Sequence, residues 1–276
     1  MNINIQTKSF YFQFPTVRNS KFIINSKKGW IVKIEDKKTN IGFGEISPIK
    51  KIDLSICEKE LKKIPDNINE NDLYKEIQNL HPCIQSGFNV AIAELKGNLI
   101  FHKNYPFSKI EDTAILLNSN TILEEFNTLK KSQILAKSSI TIKWKVAIKE
   151  NEKEEKILEN ILNQIPCNIK FRIDANGSWS RNTANRWAEI LKGNNNLDWL
   201  EQPLEVDDIE GLKELEKKIP VALDESLIKY PNLINEWSGW QIRRPSQEKD
   251  PLVLIKELEN KEKFRSISTS FETGIG

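Results

Sequence analysis

From about residue 105 onward, short apolar segments alternate with longer segments in which apolar residues recur at three and four positions. The short segments are TAILLN, SSITIKWKV, NIKFRIDA, LDWLEQP, PVALDES, WQIRRP and FRSISTS. They predict β-strands, the longer segments predict α-helices, and their alternation indicates βαβ units around a parallel sheet. Seven units in series favour a TIM-type (β/α) barrel over an open doubly wound sheet, because polar side chains end several consecutive strands.

Residues 1–100 follow a different pattern. Strand-like segments run to about Pro48, and WIVKIED, the turn KKTN and IGFGEI predict a β-hairpin. Residues 55–98 then change to helical spacing. We therefore predict an α+β domain over residues 1–100 and a (β/α) barrel domain over residues 105–276. No eighth strand is predicted before Gly276, so we expect the barrel to lack its last strand and to be incomplete at its C-terminal end.

Charge and cysteine content argue against several classes of protein. The chain has 41 Lys and Arg against 39 Asp and Glu, and a net charge of +2 gives no field to recruit nucleic acid or an anionic membrane. Cys57, Cys83 and Cys167 are odd in number and far apart, which argues against a disulfide framework. Neither a signal peptide nor a long apolar run is present, so we expect a cytoplasmic protein. His81 and His102 are isolated, which disfavours a zinc site or a Ser/His/Asp triad.

Acidic side chains end three consecutive predicted strands. IKFRID ends at Asp174, LDWLE at Glu201 and VALD at Asp224. Because neighbouring parallel strands end at one rim of a barrel, we expect the three carboxylates to converge. Oxygen ligands without imidazole or thiolate select a hard cation, so we predict Mg²⁺, with Mn²⁺ as a substitute. The alternative is that each acid only caps the helix that follows it.

Two lysines lie on the strand before these acids. Lys143 and Lys145 are two positions apart, so they share one face of the strand while Trp144 occupies the other. We interpret their face as the barrel interior, where the carboxylates would balance the ammonium charge. The alternative is a lysine-rich surface strand.

Further polar residues end the last two predicted strands. Arg244 precedes a proline, and Ser268, Ser270 and Glu272 follow on the next strand. Such a segment can bind the carboxylate of a small-molecule substrate, and the alternative is an ordinary polar loop. No G-x-G-x-x-G follows a strand, so no dinucleotide cofactor is predicted. The sequence leaves the oligomeric state open.

In this order, K-W-K, R-I-D-A-N-G, W-L-E-Q-P-L, A-L-D-E-S-L, a cation before proline and S-x-S-x-E-T-G resemble the motifs of a known family. The family is the o-succinylbenzoate synthases, in the muconate-lactonizing branch of the enolase superfamily. The segment G-F-G-E-I-S-P resembles the G-x-G-E-x-x-P of their N-terminal capping domain. The resemblance runs from about residue 10 to the end of the chain, and the ordered set is far more specific than any one motif.

The resemblance implies a role for each charged residue. Asp174, Glu201 and Asp224 would bind the metal, Lys145 would be the acid/base, and Lys143 would be its companion. The implied reaction is a Mg²⁺-dependent syn elimination of water that forms o-succinylbenzoate for menaquinone or phylloquinone biosynthesis. The resemblance also implies that residues 14–21 and the loop after Glu45 close over the substrate.

One residue departs from the family pattern. Arg244 stands where the family usually has a lysine, and a guanidinium remains cationic and cannot accept a proton. Racemases and epimerases of the superfamily need a proton acceptor on each face of the substrate, so Arg244 disfavours them. A one-base dehydration remains possible, because a fixed cation still stabilises developing negative charge. The third alternative is a catalytically silent barrel with an interaction or structural role, which Arg244 and the absent last strand favour.

Overall fold

The computed structural model describes residues 1–18, 20–99, 113–132, 139–258, 264–274 and 276. The chain forms two compact units. The first comprises Met1–Thr16, Ile24–Lys103 and Arg243–Gly276, and the second comprises Val17–Ile23 and Asn104–Ile242. The domain boundary predicted between residues 100 and 105 lies outside the described residues and stays a prediction, as does the interpretation of His102.

In chain order the strands are β1 (Asn2–Arg18), β2 (Ile23–Asp36), β3 (Ile41–Ile46), β4 (Asn67–Asn69), β5 (Ile115–Leu117), β6 (Ile140–Lys145), β7 (Ile169–Asp174), β8 (Leu197–Glu201), β9 (Val221–Leu223), β10 (Trp240–Arg243) and β11 (Arg265–Ile267). The helices are α1 (Lys51–Leu61), α2 (Glu70–Ile77), α3 (Pro82–Leu95), α4 (Ile122–Lys131), α5 (Asn151–Leu162), α6 (Arg181–Leu191), α7 (Ile209–Glu216), α8 (Glu225–Lys229), α9 (Leu233–Glu236) and α10 (Pro251–Leu258). A 3₁₀ helix follows β10 at Pro245–Gln247.

A four-stranded sheet in the order β3-β2-β1-β4 belongs to the N-terminal part of the chain. Strands β2 and β3 pair antiparallel from Trp30 opposite Ile46 to Glu35 opposite Ile41, which is the predicted hairpin. Asp36 stabilises its turn, because the carboxylate accepts the backbone N–H groups of residues 38 and 40 at 2.7 and 2.9 Å.

Two glycines let β3 lie directly against α3. A Cβ on Gly42 would overlap the carbonyl oxygen of Ala91, and a Cβ on Gly44 would overlap that of Gly87. Since a helix backbone cannot yield to a side chain, only glycine permits this approach. The G-F-G motif therefore has a packing role inside the first unit.

The second sheet has seven strands in the order β11-β10-β9-β8-β7-β6-β5, and it is parallel and curved as in a TIM-type barrel. Lys145 pairs with Asp174 between β6 and β7, and Asp174 pairs with Glu201 between β7 and β8. Alternate residues such as Ile142 and Trp144 are fully buried in the core with the helices. The predicted fold class is confirmed: a seven-stranded barrel-type sheet with an N-terminal α+β part.

The structure differs from the predicted elements at two prolines. One of the longer segments with helical spacing, residues 228–237, forms two short helices, α8 and α9, because Pro231 has no N–H to continue the first. Within residues 55–98, where helical spacing was predicted, α1 ends at Leu61, and the chain passes Pro65 and forms β4 before α2 begins. Within the described residues, no helix combines the length and apolarity needed to span a membrane. All three cysteines are free thiols, as expected.

Candidate active site

Four charged side chains meet at the C-terminal ends of β6, β7 and β8 in the second unit. Lys143 Nζ lies 2.6 Å from Glu201 Oε1 and 3.0 Å from Asp174 Oδ2. Lys145 Nζ lies 3.8 Å from the same Asp174 oxygen. The carboxylates are 1% exposed, whereas the two lysine side chains are 18% and 19% exposed. The cluster is therefore buried on its acidic side and accessible on its basic side.

Strand alternation explains why both lysines reach the acids. Trp144 points to the opposite face of β6 and is fully buried there, with its ring 6.3 Å from that of Phe171 on β7. A shift of one residue would turn both lysines into that apolar layer. The lysine-rich surface strand that was the alternative is thus not what the structure shows.

Asp224 follows β9 directly and is fully buried. Its backbone N–H donates to Gln202 Oε1 at 3.2 Å. The charge of Asp224 acts on Lys143 and on Glu201, although Asp174 acts on each more strongly. Asp224 is therefore part of the same electrostatic cluster.

The carboxylates and Lys143 shift one another's pKa values. Burial lowers the pKa of Lys143, but Asp174 and Glu201 outweigh it and raise that pKa above its ordinary value. Burial raises the pKa of Asp174, but Lys143 and Lys145 outweigh it and hold that pKa below its ordinary value. Burial and then Asp174 raise the pKa of Glu201 to about 7, against the effect of Lys143. The negative charge of the cluster is therefore incompletely balanced at Glu201.

The three acids do not cap the helices that follow them. Ser180 caps α6, and its Oγ accepts the N–H of Thr183; Asp208 caps α7 through the N–H of Gly211. Asp224 immediately precedes α8, yet in the described part of the chain its carboxylate makes no capping bond to that helix. Helix capping therefore does not explain why acids occur at these strand ends.

The donor set suits a hard divalent cation, since three buried carboxylates supply only oxygen ligands. Among the described residues, no three His, Cys, Asp or Glu side chains are arranged as ligands of one metal ion. In this structure the ammonium of Lys143 bonds to both Asp174 and Glu201. The metal-binding role of these acids therefore stays a prediction that their chemistry supports.

In the first unit, the other predicted site residues lie close to one another. Arg244 Nη1 donates to the carbonyl oxygen of Thr269 at 2.7 Å, and the N–H of Ser268 donates to Arg243 O at 2.9 Å. The carboxylate of Glu272 accepts from the Ser246 hydroxyl at 2.6 Å and from the N–H of Ser270 at 2.7 Å.

The hydroxyl of Ser270 differs from its neighbours. Ser270 is fully buried, and its Oγ has no hydrogen-bond partner among the described residues. A buried hydroxyl is normally hydrogen-bonded, so Ser270 is an exception among the buried polar side chains. The substrate-binding role predicted for Ser268, Ser270 and Glu272 stays a prediction.

A segment from the beginning of the chain belongs to the second unit and lies on two of its loops. Ser20 Oγ is 2.7 Å from Ser178 Oγ and donates to the carbonyl oxygen of Ala175 at 3.2 Å. Lys21 forms an ion pair with Glu205 at 3.1 Å. These loops follow the strands that end at residues 174 and 201, so the segment lies next to the charged cluster, where the resemblance places a substrate-covering loop.

Sequence reasoning missed Glu154, which anchors the loop after Lys145. This carboxylate is fully buried on α5 and accepts the backbone N–H groups of Ala147, Ile148 and Lys149 at 2.7, 3.0 and 3.0 Å. Ala147 has φ +60, so the turn is strained and depends on these bonds. No sequence signal marks Glu154, because it lies within a run of charged helix residues.

Two further polar residues beside the acids were also missed. The N–H of Asn176 donates to Asp174 Oδ1 at 3.0 Å, and its side chain donates to Glu225 at 3.1 Å. Gln202 is fully buried next to Glu201. Asn176 lies in R-I-D-A-N-G, two residues after Asp174, and Gln202 lies in W-L-E-Q-P-L, directly after Glu201. This closeness to an acid is the sequence feature that could have indicated both residues.

Comparisons with known proteins identify the class of protein to which this fold and site belong. Residues 132–234 match the family model described as enolase C-terminal domain-like. The crystal structure of o-succinylbenzoate synthase from Thermosynechococcus elongatus, complexed with Mg in the active site, has a TM-score of 0.75 and 23% identity. That match covers 99% of this chain and 86% of the other, and at this identity it shows the fold alone. The chain belongs to the enolase superfamily.

Curated relatives come from more than one activity within that superfamily. An o-succinylbenzoate synthase of Thermosynechococcus vestitus is 30% identical over 229 residues, which cover 78% of this chain and 66% of that protein. An L-Ala-D/L-Glu epimerase of Francisella tularensis subsp. novicida is 28% identical over 150 residues, which cover 53% and 39%. The chain thus matches less than two thirds of the length of either relative.

Proposed function

We propose that this protein is an o-succinylbenzoate synthase. It would catalyse the Mg²⁺-dependent syn-dehydration of 2-succinyl-6-hydroxy-2,4-cyclohexadiene-1-carboxylate to 2-succinylbenzoate, as a carbon–oxygen lyase of menaquinone or phylloquinone biosynthesis. The observation that carries the proposal is the pair of lysines on β6 facing buried strand-end acids on β7 and β8. The relative that is 30% identical supports this choice of activity within the superfamily.

Asp174, Glu201 and Asp224 would hold the cation. Three buried carboxylates lie beside the side chains of Lys143 and Lys145, and burial together with Asp174 raises the pKa of Glu201, so the negative charge in this buried place is incompletely balanced. A bound divalent cation would offset the charge that develops on the substrate carboxylate during proton removal.

Lys145 would move the protons. Its amine takes the α-proton and then, as an ammonium, returns a proton to the departing β-hydroxyl, so one residue serves both steps. Its looser contact with Asp174, at 3.8 Å, leaves the amino group able to turn toward a substrate. Lys143, held by two carboxylates, keeps its charge and supplies a fixed positive field beside the reacting carbon.

An epimerase or racemase is the second candidate, because the Francisella relative has that activity. Such an enzyme exchanges the α-proton with solvent without losing water. Arg244 disfavours it, since a guanidinium cannot act as the second base. Incubation of candidate dipeptides in D₂O, followed by mass spectrometry, tests this alternative: deuterium incorporation without dehydration would support the epimerase.

The central experiment is an aromatisation assay. Purified protein is incubated with the cyclohexadiene precursor and Mg²⁺, and the appearance of the aromatic product is followed by absorbance. Lys145→Ala should lower kcat by at least about 100-fold, as expected for a lost general acid/base. The matched control is Lys170→Ala, because Lys170 lies at the other end of β7, is exposed and bonds only to Asn195 O at 2.9 Å among the described contacts.

The control variant should keep wild-type turnover. Equal rates for wild type and Lys145→Ala would show that Lys145 is not the base. If neither turns over the precursor, the dehydration proposal is wrong, and the epimerase or a catalytically silent barrel remains.

A further inference from the structure

Gln202 follows Glu201 at the end of β8 and is fully buried. Its φ of +37 is in the left-handed region that favours glycine, so its conformation must be fixed by its surroundings. Its backbone N–H donates to Ala222 O at 2.8 Å, and its carbonyl accepts the N–H of Gly177 at 2.6 Å. Both backbone groups are therefore tied to the neighbouring strand and loop.

The side-chain amide of Gln202 is also completely bonded. Its Oε1 accepts the backbone N–H groups of Asp224 and Ser226 at 3.2 and 3.1 Å. Its Nε2 donates to Leu204 O at 3.0 Å and to Ser226 Oγ at 2.8 Å. Only an amide can accept two bonds and donate two at such a position.

These bonds connect two of the acids across adjacent strands. Gln202 is covalently next to Glu201 and is hydrogen-bonded to the backbone of Asp224, 22 residues further along the chain. The strand before Asp224 is only three residues long, and the helix after it has five residues, so regular structure alone constrains this backbone weakly. The side-chain amide of Gln202 therefore fixes the backbone around Asp224.

We infer that Gln202 is a positioning residue for Asp224, holding its backbone so that its carboxylate stays near Lys143 and Glu201 and can join them in cation binding. The inference rests on the proposed function, because that function assigns the cation to these acids. Groups that orient metal ligands typically change metal affinity by about 10–100-fold when they are removed.

A purely structural role would give a different result, and the chain offers a matched control. Gln241 on β10 is a second fully buried glutamine of the same unit, and its Nε2 donates to the carbonyl oxygens of Ile234 and Trp237 at 3.0 and 3.2 Å. None of its described bonds involves an acid of the cluster. Loss of this amide should affect stability alone.

The experiment is calorimetric titration of the full chain with Mg²⁺, accompanied by thermal unfolding, for the wild type, Gln202→Leu and Gln241→Leu. We expect Gln202→Leu to bind Mg²⁺ at least about tenfold more weakly. Gln241→Leu should bind Mg²⁺ within twofold of the wild type. This should hold even if its melting temperature falls by as much as that of Gln202→Leu. A folded Gln202→Leu variant with wild-type affinity overturns the inference while the proposed function stands.

Ser226→Ala provides a second test that barely changes side-chain volume. The substitution removes the hydroxyl that accepts a hydrogen bond from Nε2 of Gln202. It tests the positioning role of Gln202 if Gln202→Leu does not fold. A threefold or greater loss of Mg²⁺ affinity supports the inference, and unchanged affinity overturns it. A wild-type chain that binds no Mg²⁺ overturns both the inference and the proposed function.

Discussion

Lys143 and Lys145 are two positions apart, yet their surroundings differ. Lys143 bonds to Glu201 at 2.6 Å and to Asp174 at 3.0 Å, whereas the one ion pair of Lys145 among the described residues is with Asp174, at 3.8 Å. A side chain held by two close carboxylates is fixed in place, whereas one held by a single longer contact is able to turn toward a substrate. This difference is why we assign the proton transfer to Lys145 and the fixed charge to Lys143.

The two kinds of residue can be separated by titration. Glu201→Ala should reduce Mg²⁺ affinity by more than the roughly 10–100-fold that an outer-shell group costs, because it would remove a proposed ligand. Lys145→Ala should leave Mg²⁺ affinity nearly unchanged, because Lys145 is not one of the proposed cation ligands. Calorimetry measures both, and an unchanged Mg²⁺ affinity in Glu201→Ala would show that the ligand assignment is wrong.

Lys27 in the first unit gives a pH-dependent prediction. Its Nζ donates to the backbone carbonyls of Ser47, Pro48 and Ser270 at 3.1, 2.8 and 2.7 Å, and burial lowers its pKa to about 8. Glu272, Cys83 and Glu45 oppose this effect, and Arg244 adds to it.

Below pH 8, both the folded and the unfolded chain hold the proton on Lys27. Between pH 8 and 10.5, the unfolded chain alone holds it, so the free energy of unfolding rises with pH. Relative to Lys27→Met, the wild type should gain on the order of 3 kcal/mol over this range. Denaturant unfolding of both proteins at several pH values measures the difference, and a pH-independent difference would contradict the shift.

At the scale of the elements, β3 and α3 meet backbone to backbone. Gly42 and Gly44 alternate with larger residues on β3, so their glycine face is the one that lies on the helix. This close approach buries Phe88 and Ile92 between the helix and the sheet of the first unit. The packing depends on the absence of two Cβ atoms.

Gly44→Ala should therefore destabilise the protein by about 1–3 kcal/mol, because the added methyl meets the carbonyl oxygen of Gly87. Gly274→Ala is the matched control, since no atom of the described residues lies within 4 Å of a Cβ there. Its melting temperature should stay near that of the wild type. Equal melting temperatures for the two variants would show that the helix can move away at little cost.

Elements with a clear hydrophobic period were predictable from the sequence. All seven strands of the parallel sheet lie within the apolar segments that predicted them, since a strand buried between helices needs an apolar run. The short β4 was missed, because three residues in NIN carry no such period and form a strand only by pairing with β1. Tertiary pairing, rather than local preference, determines that element.

In the candidate site, the residues that lie on regular strands were predictable from the sequence, and those that bond to loops were not. Asp174, Glu201 and the two lysines lie where strand ends and alternation placed them. Glu154 and Gln202 were not predictable, because their partners are backbone groups of loops whose conformation no pattern reveals. The sequence predicted that carboxylates would balance the charge of the lysines, but it did not predict which acids Lys143 would pair with.

For the whole molecule, the acidic cluster is a source of instability. Burial and the neighbouring Asp174 raise the pKa of Glu201, which means that its charge is unfavourable in the protein without a cation. A function that requires this charge conflicts with the stability of the fold.

Glu201→Gln should therefore be at least as stable as the wild type when both are in EDTA. Saturating Mg²⁺ should raise the melting temperature of the wild type, by the equivalent of about 2.7 kcal/mol at a hundred times Kd, and should not raise that of Glu201→Gln. Differential scanning calorimetry with and without Mg²⁺ makes the comparison. A variant that is less stable in EDTA, or that responds to Mg²⁺ as the wild type does, would contradict this account.

The ammonium of Lys143 also has a consequence for the order of events as the protein matures. A counter-ion built into the chain travels with the strands, so the acids can come together during folding without waiting for an ion from solution. Small domains that depend on an added metal stay unfolded until it arrives. If the acids bind the proposed cation, the fold would not have to wait for it, and the cation would join acids that the ammonium of Lys143 already holds together.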